Sequence, residues 1–149
     1  MILKFEVIGK AQGLDRSRQT ANGHRFDSAK NRNNKAYIRM KAEAEAEKLG
    51  MTLPLEPGKE GYIVILEVNV APPKSYTKKK LAEIARGEWR PLGKPDLDNV
   101  LKLYLDALNG SVIEDDRYVT EVMLSRKYSQ VEKVICYVSR RSDEERRKE

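Results

Sequence analysis

The rhythm of apolar and polar positions changes several times along this chain. Ile2 to Ile8 alternates as a half-buried strand does and stops at Gly9. Gly13 to Asn34 has little periodicity and is rich in Gly, Asn, Ser, Arg and Lys, which predicts a long basic loop. Lys35 to Leu49 is built from alanines and long unbranched side chains and is followed by Gly50; it predicts a helix with Glu43, Glu45 and Glu47 turned to solvent. The β-branched run from Gly61 to Val70, ended by Pro72-Pro73, predicts a central strand. Thr77 to Arg86 predicts a short helix capped by Ser75 or Thr77 and terminated by Gly87.

Leu97, Val100, Leu101, Tyr104, Leu105 and Leu108 recur at helical spacing and predict a helix buried along one stripe. Pro95 and Asn109-Gly110 bracket it, so the helix is expected to begin at about Asp98, with Asp98 as its N-cap. Tyr118–Tyr128 and Gln130–Ser139 alternate on either side of a tight polar turn and predict a terminal hairpin, after which residues 140–149 form a polar tail. No repeat or linker divides the chain. The expected architecture is α+β: a single domain over 1–149, a mixed sheet of about four strands packed with helices, and a basic loop over 10–34.

Composition narrows the setting. The longest uninterrupted apolar run, Ile63 to Leu66, is far short of the roughly 18 residues of a membrane span. The N-terminal stretch is too short and too alternating for a signal peptide, and a single cysteine, Cys136, excludes an internal disulfide. A cytoplasmic protein without membrane contact is expected. The net charge of +6 and pI near 9.4 favour a polyanionic partner, nucleic acid first.

The charge is also segregated. Lys10 to Lys41 holds nine Lys/Arg against two Asp, and Lys74 to Lys94 seven against two Glu. Between Asp96 and Asp116 the sign reverses, with six acids facing only Lys102. Basic stretches flanking a carboxylate cluster suit a metal-dependent enzyme acting on a phosphodiester backbone, where Lys10, Arg16, Arg18, Arg25, Lys74 and Lys94 are candidates for DNA binding. Ordinary alternation on a solvated surface is the competing reading.

Asp96 and Asp98, two residues apart in extended backbone, can converge at the helix entrance, with Lys102 one turn beyond Asp98 on its face. If Val112 and Ile113 return the chain beside the helix, Glu114-Asp115-Asp116 supplies a third carboxylate and completes an all-oxygen site for Mg²⁺ or Mn²⁺. The alternative is an acidic patch in which Asp98 only caps. One His and one Cys provide no zinc set. A calcium loop starting at Asp96 fails, because Leu101 stands where its glycine belongs and Ala107 where its bidentate glutamate belongs. His24 lacks a nucleophile partner and reads as a surface or phosphate-contacting residue, Cys136 as packing, and Trp89 as the anchor of a loop rather than a base-stacking platform.

Asp96-Leu97-Asp98-Asn99 with Lys102, then Asp106-Ala107-Leu108 and Gly110, then Asp115-Asp116 and Val119, resembles the RusA family of Holliday junction resolvases. The resemblance is strong from Lys94 to Val119 and weaker at the start, where Gly9-Lys10 precedes a loop carrying Arg16 and Arg18. It implies a cytoplasmic, homodimeric, Mg²⁺-dependent endonuclease, often phage- or prophage-encoded, that nicks four-way DNA junctions symmetrically in recombination and repair. By motif position Asp96, Asp98 and Asp116 would be the metal-binding catalytic acids and Lys102 the catalytic lysine, with Asp115 the adjacent candidate. The basic loop is longer and richer in Asn and Gly than the family's usual proline-containing start, and Glu114 is an additional acid. A flap- or fork-selective nuclease on the same site, and a non-catalytic nucleic-acid-binding module, are the rival readings.

Overall fold

Four strands form one mixed sheet because their apolar positions fall in register on the face that the helices cover. The structure, a computed structural model, describes residues 2–15 and 18–141. In chain order it comprises β1 (Ile2–Ile8), β2 (Arg18–Gln19), β3 (Arg25–Phe26), α1 (Ala29–Lys48), β4 (Tyr62–Val70), α2 (Lys78–Ala85), α3 (Leu97–Leu108), a 3₁₀ turn (Asp116–Tyr118), β5 (Val119–Tyr128) and β6 (Lys133–Arg140). The sheet order is β1-β6-β4-β5, while β2 and β3 form a separate short hairpin. Across β4 and β6, Val64 lies opposite Val138, Leu66 opposite Cys136 and Val68 opposite Val134. Leu3 and Phe5 of β1 extend the same face. Ile38, Ala42 and Ala46 of α1 and Val100, Leu103, Tyr104, Ala107 and Leu108 of α3 close over it, all buried. Arg39 Nε donates to the Ala107 carbonyl at 2.9 Å and fastens the two helices together.

The α+β class and the mixed four-stranded sheet agree with the expectation, but two elements differ. The terminal strands form no hairpin: β6 runs antiparallel to both β1 and β4, and β5 lies on the far side of β4, parallel to it. Alternation identifies a strand but not its neighbour, and the buried β4 offers both of its edges. The second difference is that α1 starts at Ala29, not Lys35. Its N-cap Ser28 accepts from the Asn31 N–H at 3.0 Å, and Asn31 is buried rather than looped out. The expected basic loop is therefore shorter and includes β2 and β3. Of the polar tail, Arg140 ends β6, and residues 142–149 lie outside the described residues.

Gly61 enters β4 with φ +77°, and a Cβ there would lie 2.2 Å from the Tyr118 carbonyl oxygen. Gly61→Ala is expected to destabilise the protein by about 2 kcal/mol or more, the left-handed backbone alone costing about 1–2 kcal/mol, read as a lower urea midpoint.

Candidate active site

The loop after β1 is pinned on two sides, and this builds the site. Asn31 of α1 accepts from the Asp15 N–H at 2.9 Å and donates to the Asp15 carbonyl at 3.0 Å. On the other side the Leu14 N–H donates to the Asn99 carbonyl in the first turn of α3 at 3.2 Å. Gly13 makes the approach possible, since a Cβ there would sit 3.1 Å from Asn99 Cβ and 3.3 Å from Pro95 Cβ. Between loop and helix lies an open groove of about 440 Å³ whose lining includes Lys10, Asp15, Lys30, Lys94, Asp96 and Asn99. Asn99 stands in the Asp96-Leu97-Asp98-Asn99 motif, whereas Asp15 and Lys30 were not among the sequence candidates for the site; their place depends on the loop folding onto α3.

Asp96, not Asp98, is the N-cap of α3. Pro95 restricts the residue before it, Lys94, and leaves Asp96 free to take the extended cap geometry, φ −63° and ψ 145°. Its side chain makes no capping hydrogen bond. This exposed carboxylate therefore faces the groove without a structural duty. Asp98 falls in the first helical turn, where the helix dipole favours an acid. Lys102 Nζ is 3.8 Å from Asp98 Oδ2, with both side chains more than half exposed, so the pair holds neither group strongly.

Val112 and Ile113 do return the chain to the helix, but to its other end. Both are buried, and the Ile113 N–H donates to the Leu108 carbonyl at 3.1 Å. The following acids emerge beside the C-terminus of α3. The Asp116 N–H donates to Asn109 Oδ1 at 2.9 Å, and Asp115 accepts from the Arg117 N–H and Nε, whose bonds hold its carboxyl below the usual range. From Asp98 to Asn109 the helix rises about 16 Å. Within one chain Asp96 and Asp98 thus both stand at the entrance of α3, while Asp116 lies beside its other end. Among the described residues no group of three His, Cys, Asp or Glu side chains is set to hold a metal.

Asp116 instead joins a different neighbourhood. Partial burial raises the pKa of Asp106, Lys35 opposes that shift, and Asp27 and Asp116 add to it. Lys35 donates to the Asp27 carboxylate and holds it below its ordinary value. A depressed folded value stabilises at pH above the unfolded value near 3.9 and is lost as pH falls through the folded one. Lys35→Met is accordingly expected to be less stable than the parent at neutral pH, with the gap closing as the pH falls below about 4. Urea unfolding across pH 3–7 measures it, and a constant gap would refute it.

Of the other basic candidates, Lys10 and Lys94 line the groove, while Arg25 in β3 and Lys74 after β4 are exposed. Arg18 lies in β2, and Arg16 lies outside the described residues. His24 and Cys136 stand apart from the site: the His24 N–H closes a loop turn onto Thr20 Oγ1, and Cys136 is buried in β6. Among the described residues no helix is long and apolar enough to cross a membrane.

A family model for the endodeoxyribonuclease RusA matches residues 6–138. The chain is also 33% identical over 139 residues to a Bacillus subtilis (strain 168) protein named "Uncharacterized protein YqaN", a similarity covering 89% of this chain and 92% of that one. The family match runs from β1 into β6 and takes in the groove, the whole of α3 and both aspartate pairs. On that span, the chain belongs to the RusA family of endodeoxyribonucleases, the Holliday junction resolvases.

Proposed function

We propose that this protein is a Mg²⁺-dependent endodeoxyribonuclease that resolves four-way DNA junctions by paired symmetric nicks. The observation that carries the reading is the uncapped Asp96 carboxylate beside Asp98, facing a groove lined by Lys10, Lys30 and Lys94. Two carboxylates with open positions left for water and phosphate suit Mg²⁺, with Mn²⁺ as a substitute, so Asp96 and Asp98 would hold the ion. When bound, the ion activates water and offsets charge on the phosphodiester in its transition state. Lys102, only loosely paired to Asp98, is placed to stabilise the developing charge. Lys10, Lys30 and Lys94 hold the backbone phosphates on either side of the attacked bond. Arg16, Arg18, Arg25 and Lys74 extend the grip along the duplex arms, reading shape rather than sequence.

The third carboxylate, Asp116, comes from a second copy of the chain. β5 is an edge strand ten residues long that exposes Val122 and Met123, with Tyr118 exposed just before it. Two such strands paired antiparallel about a twofold axis set Asp116 of one copy beside the Arg126–Tyr128 end of the other. Arg126 Nη1 ties that end to the carbonyls of Gly93 and Pro95 at 2.6 and 3.1 Å, next to Asp96. The homodimer then matches a nearly twofold junction with two sites.

Incubation with a synthetic four-way junction, with and without Mg²⁺, tests the reading, and paired nicks that require the ion are expected. Preferential cutting of flaps or forks would instead indicate the related nuclease, and binding without any nicking a non-catalytic module.

A further inference from the structure

Leu124, Arg126 and Tyr128 share one face of β5 and stand opposite Leu66, Val68 and Val70 of β4. Leu66 and Val68 are buried in the core, and Val70 and Leu124 pack against it. Arg126 is the charged member of this row and is itself half-buried. A cation on an apolar face costs free energy unless its donors are satisfied, so Arg126 is tolerated there only through the groups it bonds.

Those groups are main-chain carbonyls rather than acids. Arg126 Nη1 donates to Gly93 at 2.6 Å and to Pro95 at 3.1 Å, and the Arg126 carbonyl accepts from Arg90 Nη1 at 2.8 Å. The chain from Arg90 to Pro95 forms neither helix nor strand, with Pro91 buried and Leu92, Gly93 and Lys94 exposed. One residue of β5 therefore fastens this irregular segment to the sheet immediately before the entrance of α3.

The next residue is Asp96, whose side chain makes no capping hydrogen bond. The direction of its carboxylate is thus set by its backbone. On the helical side the Asp96 carbonyl accepts from the Asn99 and Val100 N–H groups at 3.1 and 3.2 Å. On the other side the peptide group joining Pro95 to Asp96 carries the carbonyl that Arg126 grips. A peptide group is planar, so holding its carbonyl also holds the bond into Asp96. An acid whose support is loose binds a metal ion weakly, because binding must then order it.

We propose that Arg126 is a positioning residue for the nicking reaction: by holding the Pro95 carbonyl it sets the direction of the Asp96 carboxylate, and with it the affinity of the α3 entrance for the divalent ion. The proposal rests on Asp96 and Asp98 holding that ion and adds a determinant from β5, outside the acid motif. Charge alone gives the opposite sign, since removing a cation near the ion would tighten binding.

The full-length parent, Arg126→Met, Arg126→Lys and Arg90→Met are titrated with Mn²⁺, read from the free-ion EPR signal, and site binding is the part that Asp96→Asn removes. Arg126→Met should weaken that binding, and raise the Mg²⁺ half-saturation of junction nicking, by about ten-fold or more, the usual effect of losing a group that supports a ligand. Junction affinity in EDTA should be little changed. Arg90→Met releases only the Arg126 carbonyl and should keep the parental ion affinity. Ion binding in Arg126→Met as tight as in the parent, or tighter, overturns the proposal, whether or not the urea midpoint falls. Should Arg126→Met fail to fold, Arg126→Lys decides: it keeps the charge but is one atom shorter, and parental ion affinity there overturns the proposal. Mg²⁺-dependent nicking by a parent whose ion affinity is indifferent to Arg126 would remove the positioning role alone. Weakened ion binding in Arg126→Met, with no nicking by the parent, would uphold that role and remove the resolvase. A parent that neither binds Mn²⁺ nor nicks overturns both.

Discussion

Asp96→Asn is expected to reduce junction nicking by at least about 10²–10³-fold, the range seen when one group stabilising a transition state is lost, while junction binding persists. The structure makes this substitution unusually clean. Asp96 caps α3 by backbone geometry and makes no side-chain hydrogen bond, and asparagine is an equally good N-cap residue. The helix should therefore survive, with a stability change within about 0.5 kcal/mol. Fluorescence anisotropy with a labelled junction checks binding, thermal unfolding checks the fold, and a gel checks cleavage. Nicking at the parental rate would remove the helix entrance from the chemistry.

The second large effect concerns Asp116. Mixing an Asp96→Asn chain with an Asp116→Asn chain, each inactive alone, is expected to restore nicking. If the third acid crosses between copies, a mixed dimer carries both lesions in one site and none in the other. Subunit exchange at equal concentrations makes about half of the dimers mixed, by simple pairing statistics for a twofold assembly. Each of those keeps one intact site, so the products should be single nicks rather than paired ones. If the three acids instead met within one chain, every site in the mixed dimer would hold one lesion and the mixture would stay inactive.

Where the amino-acid pattern was legible, a single local rule decided the outcome. The stripe through Val100, Tyr104 and Leu108 placed α3, and the β-branched run placed β4, because burial on one face leaves a period that no tertiary detail erases. Thr77 was readable as a cap for the same reason, and its hydroxyl accepts from the Lys80 N–H at 3.2 Å. The start of α1 was hidden because Asn31 looks like a turn residue and is in fact buried, bonded to a loop sixteen positions away. The partner of β5 was hidden because strand pairing is long-range. The catalytic candidates Asp96 and Asp98 were visible as a pair. The direction in which Val112 and Ile113 carry the chain depends on packing against Leu55 and Leu108, which no spacing encodes. Trp89 is tied down through its indole N–H, which donates to Glu83, as its reading as a loop anchor expects.

The sheet order also bears on how the enzyme comes into being. β6, the last strand in chain order among the described residues, is the one that joins β1 to β4, with Ile2 opposite Ser139 and Tyr62 opposite Arg140. A nascent chain on the ribosome therefore cannot join β1 to β4 until β6 has emerged. Until then β1 and one edge of β4 stay available to chaperones or to wrong pairings, as contacts this distant in sequence form slowly. A nuclease assembled this way gains its folded site only after its β6 strand has been translated.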